Sequence, residues 1–286
     1  MLKKFNYHSH SLFCDGKDSM EDMVLSSIER GLHYFGFSSH SPLCFESKVA
    51  LKKERVEEYL SQARFLKEKY QDKIKLFTSM EFDYITSMQE NIREMSKIYD
   101  LDYFIGSVHF VKGKSNDKVW FIDGSDREVY DKGLEEVFSG NIREGVEAYF
   151  QQVINMIKTQ RPDVVGHFDK IKMHNKERFF SQKDKWFEDF MMECLVAMKE
   201  SGSICEINTR GLYKKRYDDF YPGREWIKKA SDMKIPLTIS TDCHKKDEVD
   251  LLFDESIKYL KQIGVNEAFI DWSEYSFDLE EYTNED

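Results

Sequence analysis

Several features that would direct a reading elsewhere are missing from this 286-residue chain. Its five cysteines (Cys14, Cys44, Cys194, Cys205, Cys243) form no C-x-x-C pair and are odd in number, which argues against a disulfide framework and a zinc ribbon. No apolar run is long enough to span a bilayer, and the opening MLKKFNYHSHSLF lacks the apolar stretch of a signal peptide. A cytoplasmic protein with reduced thiols is the expectation, with no membrane partner. Basic charge is in deficit: 42 Lys and Arg stand against 53 Asp and Glu, net −11. That is the wrong sign for a face that wraps a nucleic-acid polymer. A small anionic substrate stays compatible, because bound metal ions and a few arginines reverse the potential locally. No G-x-G-x-x-G follows the first strand-like segment, which disfavours an open dinucleotide-binding sheet.

Strand-like and helix-like segments do alternate along the chain. The strands expected are Phe5–His8, Tyr34–Ser39, Lys75–Glu81, Tyr103–His109, Asp163–His167, Ser203–Asn208 and Pro236–Asp242. Helical patterns fill Met20–Gly31 (with Ser19 as N-cap), Lys53–Tyr70, Asn141–Thr159, Lys183–Ser201, Arg224–Met233 and Glu248–Ile263. Seven such units predict a parallel sheet with right-handed crossovers, closed as an α/β barrel in one domain spanning 1–286. The segment Val111–Gly140 is too long for a minimal βα loop and is expected to be a lid, carrying Trp120, Phe121 and Asp123.

The chemistry lies at the ends of those strands. His8 and His10, His40, Glu81, His109, His167, and Asp242 with His244 each fall at the C-terminal end of an apolar run. In a (β/α) barrel those ends converge on one face, where active sites are built. His8-x-His10 and Asp242-x-His244 each place two donors on the same side of a strand, as chelation of one ion requires. Six of the eight histidines belong to this set; His33 and His174 are expected in solvent. Mixed imidazole and carboxylate donors accept Zn, Mn, Fe or Co. Arg210, just past the sixth strand, is placed to contact a phosphate, whereas Lys214, Lys215 and Arg216 read as a solvated cluster. Phe45 and Glu46, after His40, are further candidates to line the mouth.

The ordered motifs YHSHSLFCDG, GFSSHSP, the Glu81 strand, GSVHF, VGHFD and STDCH resemble those of the PHP (polymerase and histidinol phosphatase) family, and within it the histidinol-phosphate phosphatases. The resemblance spans residues 7–244. It implies a distorted (β/α)7 barrel holding up to three divalent metals at its C-terminal face. One metal would lie between His8, His10, Glu81 and Asp242, a second between Glu81, His109 and His167, and a third between Asp15, His40 and His244. Asp15 stands where some relatives place a histidine; read alone, it is a turn residue. The implied reaction is hydrolysis of L-histidinol phosphate in histidine biosynthesis, a hydroxide bridging two metals serving as nucleophile and Asp242 or His244 as the general acid. The alternative is a PHP-type phosphoesterase acting on nucleotides or other small phosphate esters.

Overall fold

The computed structural model describes residues 3–88, 91–113 and 118–265, with the paired backbone of 267–268 and 277–278. In chain order its first half comprises β1 (Lys4–Asn6), α1 (Met20–Glu29), β2 (Leu32–Phe37), α2 (Val56–Lys69), β3 (Lys75–Thr78), β4 (Glu81–Asp83), α3 (Ile92–Ile98) and β5 (Ile105–Ser107). An antiparallel hairpin follows, β6 (Phe110–Lys112) with β7 (Val119–Phe121), then α4 (Arg127–Phe138), α5 (Ile142–Gln160), β8 (Val164–Val165) and α6 (Lys172–Asn175). The last part holds α7 (Lys185–Ser201), β9 (Ile204–Asn208), α8 (Arg210–Tyr213), α9 (Arg224–Asp232), β10 (Leu237–Ser240) and α10 (Phe253–Gln262).

Two parallel sheets carry the fold, one in the order β1-β2-β3 and one in the order β10-β9-β8-β5-β4. They meet at both edges. At one seam Ser9 bridges Cys243 in parallel, and the His10 amide donates to the Cys243 carbonyl at 2.8 Å. At the other, the chain leaves β3 through Ser79 and Met80 and re-enters pairing as β4, with His40 bridging Glu81. The cyclic order is therefore β1, β2, β3/β4, β5, β8, β9, β10, a seven-membered parallel barrel with helices outside. The expected strand Lys75–Glu81 is thus two strands. The break has a physical use: a two-residue switch between sheets turns Glu81 into the barrel mouth, where a straight β3 could not place it.

Elsewhere the helices follow their signals closely. Ser19 caps α1 in a reciprocal capping box with Asp22. α5 and α7 pack through Phe150 against Phe187 and Phe190, at ring-centroid separations of 5.3 and 5.5 Å. The expected helix Glu248–Ile263 begins only at Phe253, because Leu252 takes a left-handed φ of 62° and Glu248 turns back to the mouth. A short helix that the pattern did not announce, α3, fills the crossover between β4 and β5. Of the expected lid, residues 114–117 lie outside the described residues. The rest forms the β6–β7 hairpin and α4, pinned by fully buried Trp120, whose Nε1 donates to the Tyr130 carbonyl at 2.8 Å.

Gly36, inside β2, is a packing constraint. A Cβ there would sit 1.9 Å from the hydroxyl of Tyr103, which donates to the Tyr7 carbonyl across the barrel. Gly36→Ala should therefore destabilise the fold by about 1–3 kcal/mol, the usual range for overpacking a full core, as read by urea unfolding. An unchanged midpoint would show that Tyr103 has room to move.

Candidate metal centre

The βα connections deliver one to three side chains each to the mouth, and nearly all of them are buried. Glu81 lies between the rest. Its Oε2 faces His8 Nε2 at 3.3 Å, His10 Nε2 at 3.5 Å and His40 Nδ1 at 3.0 Å. Its Oε1 faces His167 Nε2 at 3.1 Å and His109 Nε2 at 3.7 Å. Asp242, in the left-handed conformation (φ 49°), turns Oδ1 toward His10 Nε2 at 3.3 Å and His8 Nε2 at 3.9 Å. Asp15 Oδ1 reaches His244 Nε2 at 3.1 Å and lies 3.9 Å from His40 Nε2. All nine residues expected as ligands, the turn residue Asp15 among them, come together here.

These contacts are close, yet many are not hydrogen bonds. His8 Nε2, His10 Nε2, His40 Nδ1, Asp15 Oδ1 and both oxygens of Glu81 are buried without a hydrogen-bond partner. Orphaned polar atoms of this kind are costly unless something satisfies them. Their spacing identifies what would: donors bound at about 2.0–2.1 Å to one tetrahedral ion lie about 3.3 Å from each other. Four groups have ligand atoms mutually within 4.8 Å: His10/Asp15/His40/His244, His8/His10/Asp242, His8/Glu81/His167 and His40/Asp83/His109. The arrangement fits several divalent ions with Glu81 shared between them.

Charge supports the same reading. Asp15, Glu81, Asp83, Asp123 and Asp242 converge on the mouth with Glu206 beneath them, whereas the buried cations in contact with these carboxylates among the described residues are Lys170 and Arg210, with Lys214, Arg216 and Lys245 in the cleft above. Burial alone would raise the Glu81 carboxyl, but His8, His40 and His109 hold it well below the usual carboxylate range. Burial would likewise lower His8, yet Glu206, Glu81 and Asp242 push it well above its ordinary value. His10 goes the other way, lowered by burial and by His244 and His40. Without ions the centre therefore holds an excess of negative charge that only protons or metals neutralise.

Several participants escaped the sequence reading. Asp83 Oδ1 accepts from His109 Nδ1 at 2.9 Å and from the His109 amide at 2.8 Å. Glu206 accepts from His8 Nδ1 at 2.6 Å. Lys170 Nζ, fully buried, lies 2.8 Å from Asp123 and 3.6 Å from Asp242. Two expectations need correction. His174 is buried rather than solvated, its Nε2 bonded to the Gly124 carbonyl at 2.7 Å. Lys214 is half-buried against Glu248 and, with Arg216, lines the cleft above the centre.

That cleft encloses about 550 Å³. The hairpin segment contributes Phe110, Phe121, Asp123 and Asp126, while α8 and the turn after β10 contribute Arg210, Lys214 and Lys245. A larger cavity of about 1010 Å³ under residues 42–55 includes Phe45 and Glu46 but none of the clustered histidines. Phe45 also reaches the hairpin, edge-on to Phe110 with ring centroids 5.3 Å apart. Arg210 is buried, donates to the Asp242 carbonyl and lies 2.8 Å from His244 Nδ1.

Residues 6–210 match the PHP domain family. The chain belongs to the PHP family. PHP relatives include the probable histidinol-phosphatase of Schizosaccharomyces pombe, 29% identical over 90% of this chain and 86% of that one. The histidinol-phosphatase of Bacillus subtilis is 24% identical over 88% and 98%. The same PHP fold is seen in a Listeria monocytogenes crystal structure, with a TM-score of 0.78, 22% identity and coverage of 88% of this chain and 99% of that one. It recurs in the Lactococcus lactis histidinol phosphate phosphatase, solved with zinc, L-histidinol and phosphate, with a TM-score of 0.68, 22% identity and coverage of 92% and 95%.

If the PHP centre holds metal, chelation should destabilise the protein. An ion present at about 1,000 times its Kd contributes about 4 kcal/mol, and about 2–4 °C of Tm accompanies each kcal/mol in a chain of this size class. Calorimetry in chelator against added zinc should show a fall of roughly 10 °C or more. Equal melting curves would show that the cluster binds no ion.

Proposed function

We propose that this PHP protein is a metal-dependent phosphatase that hydrolyses L-histidinol phosphate to L-histidinol and phosphate. The observation that carries the proposal is the cleft: a metal-ligating floor with cationic side chains along one wall and carboxylates and aromatic rings along the other. Such a cleft suits a small phosphate monoester with a cationic, ring-bearing organic part. The curated relatives named as histidinol-phosphatases match along nearly all of this chain, which supports the specific substrate over nucleotides and other small esters.

Bound divalent ions would supply a water activated near neutral pH and neutralise phosphoryl oxygens. For them we assign His8, His10, Glu81 and Asp242 to one set, Glu81, His109 and His167 to a second, and Asp15, His40 and His244 to a third. Arg210, fixed by the Asp242 carbonyl and close to the cluster, offers its remaining guanidinium donors to the phosphate. Asp123, held down at about 2 by Lys170 against the effect of burial, is charged and suited to an ammonium or imidazolium on the substrate. The hairpin and α4 then act as the cover that brings Asp123 to the substrate.

Of the two residues considered for protonating the leaving oxygen, the geometry favours His244. Asp242 is fully buried and held well below the carboxylate range, burial being overcome by Arg210 and Lys170; an anion so stabilised is a poor acid. His244 Nδ1 lies 2.8 Å from Arg210 Nη1 and 3.1 Å from the Asp242 carbonyl, and can satisfy only one of them as acceptor or donor. With Arg210 donating to Nδ1, His244 holds either a proton or a metal on Nε2, toward Asp15 and the cleft, and it would serve as the acid in the form that carries the proton there.

Steady-state assays of the zinc- or manganese-loaded protein should show kcat/KM for histidinol phosphate at least about 100-fold above that for nucleotides and sugar phosphates, a difference of about 2.7 kcal/mol. Equal values across the panel would overturn the substrate assignment. His244→Asn should slow esters of poor leaving groups far more than aryl phosphates, and equal losses on both would remove His244 as the acid. Arg210→Ala should lower kcat/KM by roughly 100-fold or more, the scale of a lost charge-assisted contact of about 3 kcal/mol.

A further inference from the structure

Glu206 sits beneath the metal centre, on β9, where the pattern ICEIN reads as an ordinary buried strand. Its side chain is fully buried and its two oxygens meet four groups. Oε1 takes His8 Nδ1 at 2.6 Å and the hydroxyl of Ser240. Oε2 takes the His167 backbone amide at 2.7 Å and Asn208 Nδ2 at 3.2 Å. The orientation of Asn208 is fixed independently, because its Oδ1 accepts from the Arg210 amide at 2.9 Å; Nδ2 is therefore a donor. The His167 amide is a donor by nature.

An ionised carboxylate accepts at about four positions and donates at none. It is the side chain that satisfies this whole set, and it dictates where the proton on His8 lies. With Nδ1–H given to Glu206, Nε2 is the His8 nitrogen that gives up its proton and offers a lone pair when metal binds. That atom is buried, unpartnered and aimed at Glu81 and Asp242. We propose that Glu206 is a positioning residue that locks His8 in its Nδ1–H tautomer and thereby presents Nε2 as a metal ligand. Through the same carboxylate it also fixes the His167 backbone, and through Asn208, which lies 3.2 Å from Asp242 Oδ2, a carboxylate of the same cluster. One buried anion thus orients three of the residues assigned to metal. This rests on reading the cluster as a metal centre and is independent of which phosphate ester is cleaved.

Glu206→Gln is a discriminating variant because it is isosteric and its effect has a direction. The amide must turn its NH2 toward one of the two pairs. The His167 N–H and Asn208 NH2 cannot become acceptors, whereas Ser240 and His8 can. The NH2 should therefore face His8, which then accepts at Nδ1 and carries its proton on Nε2, blocking metal.

In zinc-loaded wild-type protein, 15N-edited imidazole NMR should show His8 Nδ1 protonated and Nε2 with the shift of a metal-bound nitrogen. In Glu206→Gln, competition with a chromophoric chelator should show one zinc bound about 10- to 100-fold more weakly, with the others near their wild-type affinity. Ser240→Ala removes one donor from Glu206 and leaves the tautomer alone, so it should hold all its zinc within about threefold of wild type. An unprotonated Nδ1 on His8 in the wild type would overturn the proposal without any variant, as would wild-type zinc affinity in Glu206→Gln. A wild-type protein that binds no zinc overturns the metal reading itself, a result separate from failure of the substrate panel.

Discussion

Glu81 carries two buried oxygens, each facing imidazole nitrogens on a different side and neither holding a hydrogen bond. Leaving a carboxylate out of water in this way costs several kcal/mol unless charge and coordination compensate it. Everything at the barrel mouth is arranged around that cost. The sheet switch between β3 and β4 exists to turn Glu81 inward. The histidines after β1, β2, β5 and β8 direct ring nitrogens at it, and the seam between Ser9 and Cys243 holds the first and last strands close enough for Asp242 to share the space. Any loosening of the strand ladder would let water or a stray hydrogen bond reach these atoms and quench the site.

The centre was largely legible from sequence because its parts share a positional rule. A barrel collects strand C-termini at one face, so His8, His40, His109, His167 and His244 could be grouped without knowing their coordinates. Glu81 reaches the mouth by a different local route from the one its sequence suggests: it opens a strand rather than ending one. Asp83, Glu206 and Asn208 were invisible for a different reason. Asp83 and Asn208 close the short strands β4 and β9 and Glu206 lies within β9, and hydropathy alone does not distinguish a polar side chain that orients a ligand from one on a solvated edge. Glu206 in ICEIN carried the one available signal, a charge where both faces of a central strand must be buried.

His174 and Lys214 failed similarly. His174 reads as solvated from its helix-end or loop context and Lys214 from its cluster of charges, yet each is held by a partner distant in sequence, the Gly124 carbonyl and Glu248. Helix α10 starts later than its pattern because Glu248 is needed at the mouth, where it accepts from the His244 amide at 3.0 Å. In all three cases the tertiary demand of the site overrode a local preference worth a few tenths of a kcal/mol.

The two sides of the cleft differ in kind, and that difference bears on selectivity. In the proposed reading, the metal-ligating floor with Arg210 would bind a phosphoryl group whatever it is attached to, and so would contribute affinity shared by all esters. Discrimination must come from the hairpin wall, where Asp123 is kept ionised by buried Lys170 and Phe110 stacks on Phe121 with ring centroids 4.8 Å apart. Lys170 also faces Asp242, so one buried cation joins the wall to the floor. Lys170 meets one side of Asp123, and in the proposed reading a cationic organic part would meet the other, which a neutral or anionic one would not. The same division would let an acidic protein take an anionic substrate: Arg210, Lys214 and Lys245 line the cleft together with the carboxylates Asp123 and Asp126, so positive and negative groups are kept to different parts of it.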